Sequence, residues 1–235
     1  MGNRNSPISD VIVPSAEVDQ TLGLLLLREF HRFRVYATPS VRRTLIEDNS
    51  LFGVLARFPG QVCWNDIPLD RPFSVGGARL EVLSLPGSFP GFVNASRVAE
   101  LNSAEAVIGL LVSPDSSPGS RGGGTLAFLP GVARVSDELL GRLQECDVVL
   151  FDGTFWSDDE PLGIPGITRT AMQMGHLPLA GSGGSMERLA ALEGPRKIFI
   201  HINNTNPILD EESDEYRMVR ESGWEVAWDG MEMTL

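Results

Sequence analysis

Short apolar runs alternate along this chain with stretches whose apolar residues recur at helical spacing. Val11-Ile12-Val13 reads as a strand, followed by a polar turn over 14–20 and a helix over roughly 21–33. Val35-Tyr36-Ala37 reads as a second strand, and Thr38-Pro39-Ser40 as the N-cap and first turn of a helix reaching Ile46. Between Gln61 and Leu85 this βαβα rhythm gives way to short runs broken by Pro and Gly. There, residues 72–82 resemble a strand, a Gly-Gly turn and a partner strand, so antiparallel pairing is expected. A strand follows over 106–112, then a loop rich in Ser, Pro and Gly over 113–124, then strand patterning again at Thr125-Leu126-Ala127-Phe128-Leu129. Ser136 caps a helix ending near Glu145, and Asp147-Val148-Val149-Leu150-Phe151 is an apolar strand that delivers Asp152 to its end. A last helix over 185–192 feeds the run Lys197-Ile198-Phe199-Ile200-His201-Ile202, and Trp224-Glu225-Val226-Ala227-Trp228 alternates like an edge strand. Strands alternating with helices predict an α/β fold, with 1–235 as a single domain.

Composition narrows the function classes. With 42% hydrophobic and 21% charged residues the chain has the make-up of a globular protein. A formal net charge of -12 argues against a nucleic-acid partner, because phosphate binding needs clustered Lys and Arg. The longest apolar stretch, over 22–27, is interrupted by Gly23 and is far short of a bilayer span. Residues 1–7 carry no apolar core of a secretion signal, so no membrane association and a cytoplasmic location are expected. Cys63 and Cys146 form no metal-spacing pair and are expected to be reduced and buried.

The candidate chemistry sits where strands end. His201 closes an apolar run and is followed by Asn203-Asn204-Thr205-Asn206-Pro207, which suits either a metal or polar ligand or a histidine hydrogen-bonded in the core. Three further clusters stand out: Glu17-x-Asp19-Gln20, Asp152-Gly153-Thr154-Phe155-Trp156 and Gly175-His176-Leu177-Pro178. Thr154 and Trp156 offer a hydroxyl and an aromatic wall to an aromatic substrate, with a core role as the alternative for Trp156. Asn203 and Asn204 offer donors and acceptors for carboxylates or amides, or else form the turn. His31, beside Arg32 and Arg34, reads as a surface residue.

Taken together, several motifs resemble the pyrroloquinoline quinone (PQQ) biosynthesis protein B family, a branch of the metallo-β-lactamase-like superfamily. They are Ala16-Glu17-Val18-Asp19, Gly23-Leu24-Leu25, Leu27-Arg28-Glu29, Phe151 through Trp156 with Asp158-Asp159-Glu160, Met174-Gly175-His176, the segment from His201 to Asp210 with Glu211, and Asp229-Gly230-Met231-Glu232. The resemblance covers essentially the whole chain. It implies an αββα sandwich, here lacking its first strands, since family members carry a glycine-rich strand and a Cys cluster ahead of the point where this sequence starts. An exposed sheet face left in that way predicts a homodimer. The implied activity is Fe(II)- and O2-dependent hydroxylation of the tyrosine ring in a Glu-Tyr-derived precursor.

The ligand pattern departs from the family at one position. The family-like metal site would be Asp19, residue 20 and His201, with His176 and Asp152 handling protons and orientation. Position 20 should be histidine and is Gln20. An amide oxygen is a weaker donor than imidazole, so metal affinity should fall. Compensation by Glu17 or Asp152 would give an oxygen-rich site better suited to Mg, Ca or Mn. Metal-bridged hydrolysis fits poorly, because Leu129-Pro130-Gly131 supplies no carboxylate and Ser15 stands in place of a histidine. The alternative from another class is a non-catalytic carrier of PQQ or its precursor.

Overall fold

The structure, a computed structural model, describes residues 6–27, 32–115 and 123–235. His31 and most of the Ser-Pro-Gly loop lie outside the described residues. The chain divides into two compact units, one of Met1–Gly76 and Glu81–Ile108, the other of Gly77–Leu80 and Gly109–Leu235.

The first unit is built on three parallel strands in the order β1 (Asp10–Ile12), β2 (Phe33–Ala37) and β3 (Val62–Asp66). Two short helices, α1 (Val18–Thr21) and α2 (Gly23–Leu26), stand where one helix over 21–33 is expected. The helix is interrupted at Leu22–Gly23, and Phe33 is already paired with Val62 in the sheet. From β2 the chain crosses over through α3 (Pro39–Glu47) and a 3-10 turn, Ser50–Ala56, which returns it to the start of a parallel strand. β3 falls in the stretch from Gln61 that reads as short broken runs, and it runs parallel to β2. Thr38 caps α3 as read, its Oγ1 accepting from the Val41 amide at 3.3 Å, with Pro39 at N1. Val41, Thr44 and Leu45 form the helix's buried face, in the same core as Val13, Val35, Ala37 and Phe52. Alternation along β3 leaves Cys63 exposed between partly buried Val62 and Trp64. Both cysteines are free, and of the two only Cys146 is buried. The unit's remaining elements are β4 (Phe73–Val75), α4 (Ala95–Val98), a 3-10 turn, Ser103–Glu105, and parts of β5 (Ala78–Leu85) and β6 (Val107–Pro114). Gly76 and Gly77, between β4 and β5, both take positive φ.

The second unit carries the strands β7 (Leu126–Leu129), β8 (Val148–Asp152), β9 (Arg196–Ile200) and β10 (Trp224–Val226), in the spatial order β10-β9-β8-β7-β6. β7 pairs antiparallel with β6, and β7 to β10 run parallel. β8 is almost wholly buried, which is why it reads as a continuous apolar run. Helix α5 (Asp137–Gln144) is capped by Ser136, whose Oγ accepts from the Leu139 amide at 3.1 Å, and buries Leu139 and Leu143. The helix expected over 185–192 is shorter, as α7 (Ser185–Arg188). A helix absent from the sequence reading, α8 (Asp214–Glu221), packs on β10 and buries Val219. Trp224 stacks on Phe199 at 4.0 Å and meets Phe151 edge-on at 6.1 Å, fixing β10 as the edge strand.

Candidate metal centre

The register of β8 against β9 builds the site. Asp152 lies opposite Ile200, so two parallel strands end level, and the next residue of β9 is His201. Parallel strands gather their carboxyl ends on one edge, the place where α/β sheets hold ligands. The ladder is closed by a 2.7 Å hydrogen bond from the Gly153 amide to the Ile200 carbonyl. At this point the backbones come close. A Cβ at position 153 would sit 2.9 Å from Phe199 Cβ and 3.0 Å from the Ile200 carbonyl oxygen. His201 itself has φ 55, a left-handed conformation for a residue other than glycine. The ladder therefore ends there, and the imidazole turns to the strand edge.

His176 arrives from a different element. Helix α6 (Ala171–Met174) begins with a reciprocal capping box between Thr170 and Gln173, and ends at Gly175 with φ 95. That left-handed cap directs the chain to His176, whose amide still bonds to the Ala171 carbonyl at 3.0 Å. Beyond it, buried Leu177 and Leu179 anchor the segment, their amides bonding to the carbonyls of Val132 at 2.6 Å and Phe155 at 3.0 Å. The Phe155 ring meets the His176 imidazole edge-on at 5.9 Å.

Asp152, His176 and His201 thus converge, with one ligand atom from each lying within 4.8 Å of the others. Asp152 has no exposed surface, whereas the His176 and His201 side chains are 18% and 21% exposed. The carboxylate is saturated with donors. Oδ2 accepts from the Val132 amide at 2.9 Å and faces His176 Nδ1 at 2.7 Å; Oδ1 accepts from the Thr154 amide at 3.2 Å and the Thr154 hydroxyl at 2.5 Å. Burial, the largest single effect on this carboxyl, pushes its pKa up. The hydrogen bond from His176, then His201 at 3.6 Å, the charge of His176 and the Thr154 hydroxyl more than offset it, holding the pKa at about 2. The imidazoles lie 5.5 Å apart between centroids, inclined by 32°.

The donor chemistry fits a divalent metal. Two imidazoles held by their Nδ1 edges against a buried carboxylate and hydroxyl present their Nε2 edges away from it. Metal-binding histidines are commonly oriented through such a carboxylate. Every donor of the group lies in the second unit. Asp19 and Gln20 lie in α1 of the first unit, with Glu17 at its N-cap; Gln20 Oε1 accepts from the Ser15 hydroxyl at 2.9 Å. Thr154 is buried, its hydroxyl turned to Asp152 and the two imidazoles. Trp156 is half-buried and its amide bonds to Glu160 Oε2 at 2.5 Å.

The segment after His201 is a scaffold. The Asn203 amide bonds to the Thr154 carbonyl at 3.1 Å, and its side chain reaches Thr205 Oγ1 at 2.6 Å, while Asn204 is exposed in a turn. Asn206, which the sequence reading did not single out, is buried and donates to the Gly153 carbonyl at 2.9 Å. Its own Oδ1 accepts from the Ile208 amide, with Pro207 between them, and Asn before Pro is the local signal that could have found it.

Comparison with known proteins agrees with this architecture. The beta-lactamase superfamily domain model matches residues 2–202. Coenzyme PQQ synthesis protein B of Methylobacterium sp. strain 4-46 is 40% identical over 235 residues, which is all of this chain and 75% of the relative. That of Xanthomonas axonopodis pv. citri strain 306 is 37% identical over the same span. The crystal structure of Zn(2+)-bound PqqB from Methylobacterium extorquens superposes with a TM-score of 0.85 at 36% identity, covering 100% of this chain and 75% of that one. With this fold, these strand-end residues and these relatives, the chain belongs to the coenzyme PQQ synthesis protein B family, on the metallo-β-lactamase fold.

Proposed function

We propose that this chain serves coenzyme PQQ synthesis as an iron- and oxygen-dependent hydroxylase of the tyrosine-derived ring in a Glu-Tyr-derived precursor. The observation that carries the reading is the convergence of His176, His201 and Asp152. Two imidazoles oriented by a buried carboxylate are a common way of presenting nitrogen donors to a divalent metal, and the Zn(2+)-bound relative shows that a protein of this family accepts a divalent ion. Bound here, ferrous iron supplies the activation of oxygen.

The residues of the chain have three tasks in this reading. His176 and His201 hold the ion through the ring edges that face away from Asp152. Asp152, ionised and buried, orients the His176 ring directly. Half-buried Trp156 offers an apolar wall to the aromatic substrate. In the overall reaction one oxygen atom enters the ring as a hydroxyl and the other leaves as water, with two electrons and two protons from an external reductant.

Anaerobically purified protein loaded with ferrous iron tests this, with ascorbate as reductant and a Glu-Tyr-containing peptide as substrate. The expected result is stoichiometric iron, oxygen uptake and a product heavier by one oxygen atom. Tightly bound quinone with no iron and no product would overturn the reading in favour of a carrier.

A further inference from the structure

We propose that Thr154 is a positioning residue that extends the charge of Asp152 to His201 and fixes that imidazole as its Nδ1–H tautomer. The hydroxyl oxygen of Thr154 lies 2.5 Å from Asp152 Oδ1, 2.9 Å from His201 Nδ1, 3.0 Å from His176 Nδ1 and 3.0 Å from the His201 carbonyl oxygen. A hydroxyl has one proton to give. The shortest contact is to a charged acceptor, and charge-assisted hydrogen bonds are the stronger ones, so the proton points at Asp152. The His201 carbonyl is a second possible acceptor, but it is neutral and 0.5 Å farther than the carboxylate oxygen, so Asp152 takes the proton and the hydroxyl oxygen presents lone pairs to the two Nδ1 atoms. His201 Nδ1 must then be the donor in its 2.9 Å contact.

The two histidines are consequently fixed by different partners. His176 Nδ1 is 2.7 Å from Asp152 Oδ2, and an ionised carboxylate only accepts, so its tautomer is set by Asp152 directly. His201 Nδ1 is 3.6 Å from the nearer carboxylate oxygen, beyond hydrogen-bond reach, and depends on the hydroxyl between them. Removing that hydroxyl should release His201 while leaving His176 as it was. A hydroxyl that only packed would move both rings or neither.

The tautomer is read from geometry alone; its consequence for metal binding rests on the function proposed above. The test keeps the two apart. Metal-free protein labelled with 15N-histidine is studied by long-range proton–nitrogen correlation at alkaline pH, where imidazoles are neutral. The wild type should show His176 and His201 both as Nδ1–H. Thr154→Val, and Thr154→Ala as a smaller variant, should move His201 toward the Nε2–H form with His176 unchanged, and Thr154→Ser should restore the wild-type pattern. His201 in the Nε2–H form in the wild type, or unmoved in a folded hydroxyl-free variant, overturns the proposal. Ferrous affinity, measured separately, should fall roughly 10- to 100-fold in Thr154→Val and recover in Thr154→Ser. If the tautomer shifts as expected and affinity stays constant, the metal reading fails and the positioning role stands.

Discussion

Asp152 is worth more to the folded chain ionised than neutral. Its carboxyl titrates near its ordinary 3.8 when unfolded and at about 2 in the fold, so the unfolded chain takes up the proton first. The stabilisation is fully present above about pH 4 and is lost as the pH falls through 2; its size is about 2 kcal/mol. Urea midpoints measured between pH 5 and pH 2 should fall more steeply in the wild type than in Asp152→Asn, and parallel curves would refute the linkage. At neutral pH the same variant leaves the Val132 amide and His176 Nδ1 facing an amide in place of a carboxylate, at a cost of roughly 1–3 kcal/mol. Asp152, Thr154, His176 and His201 were all legible as strand-end or loop residues in the sequence. Their grouping was not, because the separations 152, 176 and 201 carry no period, and only the fold brings them together. Thr154 was read as a substrate contact, since nothing local shows that its hydroxyl faces a carboxylate.

At the level of elements, the crowding at Gly153 couples the two strands that frame the centre. A methyl group there meets the Phe199 Cβ and the Ile200 carbonyl, neither of which is the end of a flexible side chain. Gly153→Ala should therefore cost roughly 1–3 kcal/mol and shift the histidine ring signals, because β9 must move to relieve the contact. An unchanged urea midpoint together with unchanged histidine signals would show that the strands have slack. Elements marked by chemistry were readable: the caps at Thr38 and Ser136 and the buried run of β8 stand as expected. Helix α8 was not, because Val219 is its one buried residue and Asp214, Glu215, Arg217, Arg220 and Glu221 are charged, so its apolar stripe is too thin to announce it. The one available signal was Ser213, which caps it by accepting from the Tyr216 amide at 3.0 Å. The direction of β3 was not legible either, since Pro and Gly mark breaks in a chain without saying which way it returns.

For the molecule as a whole, charge and topology act separately. With 31 acidic and 19 basic Lys or Arg residues the chain repels itself, and screening should help it. Raising salt from about 10 mM to 150 mM shortens the Debye length from roughly 30 Å to 8 Å and should raise the urea midpoint at neutral pH; a drop would mean that ion pairs outweigh the repulsion. Among the described residues no helix is long and apolar enough to cross a membrane. The α/β class was legible from the alternation of runs, and the family from motifs spread along the chain. The division into two units was not, because β5 and β6 contribute residues to both and no linker marks the boundary. The level ending of β8 and β9 carries a consequence for variation in chain length. Glu193 and Gly194 are exposed ahead of β9, so a residue gained or lost there is absorbed before pairing begins. The same change within Arg196–Ile200 would turn every later side chain to the opposite face and carry His201 roughly 3.3 Å along the sheet. Insertions and deletions compatible with metal capture belong in loops, and the strands themselves must keep their count.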